Sequence, residues 1–275
     1  MPIQQMLLGV GAKDKTYLDD VFSSYLWEGN ASARSINNGI NLSESGGMVW
    51  VKNREIAFNH TLQDTERGTG ATKKICSNLS NGQNDGADTG ATWAGYISAF
   101  NNNGFSLDKS GSNGSYDWAN FNRDDEDYTS WTFRKAPGFF DVVTWTGNGS
   151  NRTIAHSLGS VPGMIMVKCT SESRDWAVYH RDLKGKTGDE ENAGTAIIFL
   201  NTTEGRSHND EYWNDTEPTS THFSVGVQNG TNKNGATYVA YLFAGGESTA
   251  TTARSVDFDA SGDYLTIPDS ADWTL

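Results

Sequence analysis

The sequence predicts an all-β protein made of two tandem antiparallel β-sandwiches and the truncated start of a third β domain. Three observations carry this. Short β-branched and aromatic runs are separated by Gly, Asn, Asp and Ser clusters, which is how strands joined by turns read. Proline is scarce and long Leu/Glu/Lys runs are absent, so extended helices are not expected. A series of segments also recurs, in the same order, at the spacing of a whole domain.

The recurrence starts with YLWEGNASARSI (residues 25 to 36) and VTWTGNGSNRTI (143 to 154). Trp27, Gly29, Asn30, Ser32, Arg34 and Ile36 match Trp145, Gly147, Asn148, Ser150, Arg152 and Ile154, each pair 118 apart (145 − 27 = 118). GGMVWVK (46 to 52) then matches PGMIMVK (162 to 168), TWAGYISAFNNNGFSL (92 to 107) matches YWNDTEPTSTHFSV (212 to 225), and DYTSWTF (127 to 133) matches TYVAYLF (237 to 243). This period exceeds the 20 to 50 residues of a solenoid unit. It marks a duplicated domain, with copies at 20–138 and 139–246.

Within the copies the runs alternate as half-buried strands do. Met48, Trp50 and Lys52 share one face, and Val49 and Val51 the other. Tyr238, Ala240 and Leu242 likewise oppose Val239, Tyr241 and Phe243. Gly29-Asn30 and Gly147-Asn148-Gly149 are expected to provide the positive φ of a tight hairpin, with Trp27 and Trp145 packing into their own cores. Residues 1–19 precede the first copy, and 247–253 form a polar linker. In 254–275, Val256-Asp257-Phe258, a turn at Gly262-Asp263 and Tyr264-Leu265-Thr266-Ile267 form the first hairpin of a further domain. A lone hairpin is not stable by itself, so either the chain is a fragment of a longer polypeptide, the favoured reading, or this tail pairs with something else.

The formal net charge of −13 disfavours nucleic acid. The N-terminus has no basic region followed by an apolar run, and no stretch is long enough to span a bilayer, so neither export nor membrane insertion is expected. The sequons at Asn148 and Asn201 read as chance. Cys76 and Cys169 fall in different copies, and both read as buried, unpaired side chains.

SWTFRKAPGFFDVVTWTGNGSNRTIAHSLGSVPGMIMVK (130 to 168), WAVYHRDL (176 to 183) and GATYVAYLFAGGES (235 to 248) resemble a repeated domain of tail-fibre proteins from marine tailed bacteriophages, cyanophages especially. VDFDASGDYLTIPDSADWTL (256 to 275) is similar to the opening of a concanavalin A-like, laminin G-like domain. The resemblance implies a virion protein of the tail, made in the host cytoplasm. It implies a homotrimer whose N-terminus docks on a tail adaptor or on a baseplate or nozzle component, with a distal region that meets a host glycan or receptor. It brings no catalytic residue and no cofactor.

His180, beside Asp182, could serve as a general base, but Asp64 stands at its place in the first copy. A structural or surface histidine fits better. Asp124, Asp125, Glu126 and Asp127 lack the Gly-punctuated spacing of a calcium loop and read as a solvated run. Asp257, Asp259 and Asp263 would join a calcium site only in a complete third domain. Neither a nucleophile elbow nor a zinc-protease or zinc-finger spacing occurs, so no catalytic or metal residue is expected. The chain is read as a non-enzymatic attachment and spacer part. The alternatives are a polysaccharide-degrading tail spike and a lectin-like decorating protein of capsid or tail.

Two sets of contact residues follow. Phe105 to Trp131 is 26 residues and Phe223 to Tyr241 is 18, so the first copy holds about eight extra residues. Tyr116, Trp118 and Phe121 lie in that stretch. They are either a contact for a neighbouring subunit or glycan, or aromatics folded over their own domain. Gln4, Gln5, Met6, Leu7 and Leu8 are apolar or polar-apolar, Gly-spaced and outside the repeats. They either dock on the tail or add a strand to the first domain.

Overall fold

The computed structural model describes residues 7–8, 16–83, 94–109, 111, 117–183 and 193–246. The chain is all-β, as predicted, and its sheets form sandwich-like layers. In chain order the strands begin with β1 (Leu7–Leu8), β2 (Thr16–Tyr17), β3 (Phe22–Glu28), β4 (Arg34–Asn37), β5 (Gly47–Asn53) and β6 (Thr61–Asp64). Next come β7 (Ile75–Cys76), β8 (Tyr96–Asn101), β9 (Gly104–Asp108), β10 (Asp127–Arg134), β11 (Phe140–Thr146) and β12 (Arg152–Ala155). The last are β13 (Pro162–Cys169), β14 (Ala177–His180), β15 (Ala196–Phe199), β16 (Ser207–His208), β17 (His222–Val225) and β18 (Thr237–Ala244).

The two halves have one topology. The large sheet of the first runs β3-β10-β5-β6-β7, and that of the second β11-β18-β13-β14-β15-β16. Each half adds a small sheet, β4-β9-β8 or β12-β17. The registers also correspond: Met48 lies opposite Asp64, and Met164 opposite His180. The expected equivalence of Asp64 and His180 is thus a structural one.

Alternating strands bury their faces in three cores. Val49, Val51, Ile36, Phe105 and Tyr128 fill the space between the first half's two sheets. Tyr238, Ala240, Leu242, Ile154 and Phe223 do the same in the second. The opposite faces of the large sheets meet in a third core. Met48, Leu62 and Ile75 of the first half pack there with Phe140, Val142, Met166, Trp176, Val239 and Tyr241 of the second. The layers therefore run small sheet, large sheet, large sheet, small sheet. The central pair is buried on both faces, which is why β5 and β18 carry apolar side chains at nearly every position.

The repeated stretch is not the hairpin expected from its Gly-Asn pair. β3 pairs with β10 and β4 with β9, so residues 29–33 arch from one sheet of the sandwich to the other. Nor do the matching glycines supply positive φ; Ala31 and Gly149, two residues on, do so. Gly29 and Gly147 are required by close approach instead. A Cβ on Gly29 would lie 1.8 Å from the Arg123 carbonyl oxygen, and one on Gly147 2.2 Å from that of Lys233. The remaining matches close the same arch twice. Trp27 Nε1 donates to Phe121 O at 3.2 Å and Trp145 Nε1 to Thr231 O at 3.1 Å. Each indole stacks on a tyrosine, Tyr128 at 5.5 Å or Tyr238 at 5.3 Å, worth about 0.5–1.5 kcal/mol beyond area burial. Arg34 and Arg152 donate back to the carbonyls of Glu28 and Thr146.

At the N-terminus β1 pairs with β2 and, among the described residues, forms a two-stranded sheet with it. The linker 247–253 and the third-domain hairpin 254–275 lie outside the described residues.

His156 sits against the second core, 6.5 Å from the Phe223 ring. Its Nδ1 accepts from Leu158 N and its Nε2 faces Thr219 O, a pairing that suits the neutral ring. Burial lowers its pKa below the usual value, outweighing the opposing pull of Thr219 O and Asp141.

Two outcomes follow. Gly29→Ala and Gly147→Ala each lower the unfolding free energy by about 1–3 kcal/mol in urea titration, the usual cost of overpacking, since backbone cannot move aside as a side chain would. Stability also falls as pH drops from 7 toward 5. The unfolded chain takes up a proton at His156 near the ordinary value of about 6.5, which the folded chain refuses. His156→Gln flattens that part of the stability-versus-pH curve.

Candidate functional site at the seam between the repeats

Trp118 and Phe121 are 2% and 0% exposed and belong to the first core. They fold over their own domain, and the outward contact considered for them is corrected accordingly: their indole and phenyl rings complete a core rather than a surface. Tyr116 lies outside the described residues. The backbone explains the burial. Phe121 N and Asn122 N both bond to Trp118 O, as Thr231 N and Asn232 N bond to Gln228 O. Trp118 is thus the structural equivalent of Gln228, and the eight extra residues fall between Leu107 and Trp118 ((118 − 107) − (228 − 225) = 8). Lys109 and Asp117 form an ion pair across the base of that insertion.

Leu7 and Leu8 form β1 of the N-terminal pair, while Gln4, Gln5, Met6, Asp257, Asp259 and Asp263 lie outside the described residues. Cys76 and Cys169 are buried, and neither is in a disulfide. His180 Nδ1 accepts the Asp182 backbone N–H at 3.2 Å, a local turn bond. The acidic run does not converge. Glu126 is buried against Asn53, Arg123 and Tyr128, whereas Asp127 pairs with Arg54 at the surface. Among the described residues no cluster of His, Cys, Asp or Glu could hold a metal ion, and no helix is long and apolar enough to cross a membrane.

The chemistry the structure does concentrate lies on the seam. Asp64 is fully buried at the end of β6 and receives three bonds. Arg67 Nε donates to Oδ2 at 2.7 Å, the Arg67 backbone N–H to Oδ1 at 2.9 Å, and the Tyr241 hydroxyl to Oδ2 at 2.7 Å. Arg67 also donates to Lys73 O, Gln83 Oε1 and, across the seam, the Tyr241 oxygen. Burial alone would lower the Arg67 pKa, but Asp64 and Tyr241 outweigh it and hold it above its usual value. Burial pushes the Tyr241 phenol well up, so it remains a neutral donor.

The shared Lys at the end of β5 and β13 does equivalent work twice. Lys52 Nζ donates to Phe58 O, and Lys168 Nζ to Arg174 O, the same position in the second copy (174 − 58 = 116). Lys168 also reaches Ser80 O of the first half at 2.7 Å. Residues 76–83 bond to the second half along their length. Trp176 Nε1 donates to Cys76 O at 2.9 Å, Arg174 N to Ser80 O at 2.8 Å and Gln83 N to Thr170 O at 2.8 Å. Sequence reasoning missed this seam. Its signal was the apolar character of both faces of TYVAYLF, which one sandwich cannot use.

At the rim of the seam lies a cavity of about 320 Å³ lined by Ser80 of the first half and by Ser173, Arg174, Asp175, Tyr212, Gln228, Asn229 and Gly230 of the second. Arg174 donates to Glu172 Oε2 at 3.2 Å, while its buried Nε has no hydrogen-bond partner among the described residues. Asp175 Oδ1 accepts from Asn201 at 2.7 Å. The Tyr212 ring packs edge-on against Phe199 at 5.9 Å, and burial, then Asp175, raises its pKa. A Cβ on Gly230 would come within 2.9 Å of Tyr212 Cε1, so glycine there leaves the ring its place. The cavity is lined almost wholly by donors and acceptors.

A family model described as a domain of unknown function (DUF7483) matches residues 18–250, both repeats together. No curated protein and no solved structure matches the chain.

The buried node carries a stability expectation. Asp64→Ala, which strands the Arg67 charge, costs about 3–5 kcal/mol, and Tyr241→Phe about 1–3 kcal/mol, by chemical denaturation. The double variant loses less than the sum, because the two changes remove one network.

Proposed function

The chain belongs to the DUF7483 family, and we propose that it is a virion structural protein, the tail-attachment and spacer part of a phage tail fibre. The observation that carries this is the third core. Two copies of one sandwich are fused along their large sheets, with Phe140, Trp176 and Tyr241 buried between them. Bending the pair at the seam exposes such side chains at about 1.5–3 kcal/mol each, so the repeats move as one strut. The connector between them is also held: Lys135 pairs with Glu66 at 2.7 Å and with Asp141 at 3.2 Å. A stiff element of this kind suits a part whose task is to set the distance and direction of a host-binding tip. The resemblance of residues 130–168 and 235–248 to tail-fibre repeats supports the same reading.

In this reading the action is geometric rather than catalytic. The N-terminal segment around Gln4–Leu8 docks on a tail adaptor, baseplate or nozzle component. The fibre is a homotrimer in the virion tail, and the region after residue 246 leads toward the receptor.

Immunogold imaging of intact virions with an antibody against residues 18–250 tests it. Label along a tail appendage is the expected result. Label on the capsid overturns the assignment in favour of a decorating protein. Release of reducing ends from host envelope glycans by the purified chain overturns the non-catalytic part.

A further inference from the structure

The duplication provides an internal control for the cavity at the seam rim. Equivalent bonds close a turn in both halves, with Tyr128 Oη donating to Ala119 O and Tyr238 Oη to Asn229 O, although the backbone differs at its first residue: Trp118 has φ 63° and Gln228 φ −63°. In the first half the positions are Trp118, Ala119 and Asn120, all buried. In the second they are Gln228, Asn229 and Gly230, which border the cavity. The first half thus has apolar side chains at two of the three places where the second has Gln228 and Asn229.

We propose that this cavity is a carbohydrate site that takes one sugar residue of a glycan. Its volume, about 320 Å³, falls at the low end of ligand pockets, roughly 300–1,000 Å³. A pyranose presents adjacent hydroxyls, each both donor and acceptor, and one less polar C–H face. The lining is almost wholly polar and matches the hydroxyls: Asp175 accepts, and Arg174 and Asn229 donate. The electrostatics select a neutral ligand over a phosphate or sulfate. Glu172 sits on Arg174 and Glu211 on Gln228, so an anion would meet carboxylates on two sides. The inference does not depend on the virion reading, because it concerns what the isolated chain binds.

The test titrates the full 275-residue chain with the methyl glycosides of glucose, galactose, mannose and N-acetylglucosamine, followed by NMR chemical shifts and by calorimetry. At least one glycoside is expected to bind at millimolar concentration, with shifts centred on Arg174, Tyr212 and Asn229. Asp175→Ala should weaken that binding about tenfold or more, the loss of one charge-assisted bond. Because Asp175 also holds Asn201, Asn229→Ala serves as the second variant; its exposed side chain leaves the fold intact, and it too should weaken binding. Binding to none of the four glycosides overturns the proposal. So does binding that both variants leave unchanged while their melting temperatures equal that of the parent chain.

Discussion

Each large sheet is apolar on both faces, and such a sheet has to be covered twice. The small sheet covers one face, and in each half the only large apolar surface the described fold offers the other is the large sheet of its counterpart. The rest of the architecture follows from that constraint. Met48, Leu62 and Ile75 meet Phe140, Met166 and Tyr241 because each set would otherwise lie in water. Polar groups on the same surface must then find partners inside. Hence the Asp64 carboxylate is closed by Arg67 and Tyr241, and Lys168 reaches the Ser80 carbonyl on the far side. The charged groups do not drive the union. They are compatible with it because each is fully paired.

Much of the fold was legible in the sequence. The duplication, the all-β class and the alternation of β5 and β18 could be read directly, because side-chain period and repeated spacing are local signals. The arch was misread for a definite reason. A Gly-Asn pair serves equally at a hairpin or where two backbones touch, and the Arg123 and Lys233 carbonyls that decide the matter come from about 90 residues away. The seam was less visible still. The sequence shows that Val239, Tyr241 and Phe243 share a face but not what covers it. Trp118 was an unmatched aromatic only because alignment by sequence cannot pair it with Gln228; the backbone bonds of the turn can.

The same reasoning separates scaffold from site. Residues repeated in both copies, such as Trp27 and Trp145, Gly29 and Gly147, and Lys52 and Lys168, have a bond or contact that repeats with them, and the fold accounts for them. Where the copies diverge, as at Gln228, Asn229 and Gly230 against Trp118, Ala119 and Asn120, the shared fold does not by itself account for the residues. By contrast the acidic run at 124–127, conspicuous in the sequence, resolves into separate local pairings.

The shared central core also orders events during synthesis. When a ribosome has released the first repeat but not the second, Met48, Leu62 and Ile75 face solvent on a sheet whose complement does not yet exist. Arg67 is less vulnerable at that stage, since Asp64, three residues earlier, emerges before it. The nascent chain therefore waits with a greasy surface but without a stranded charge. The hazard in that interval is association between neighbouring nascent chains on a polysome, each able to offer its large sheet to the other.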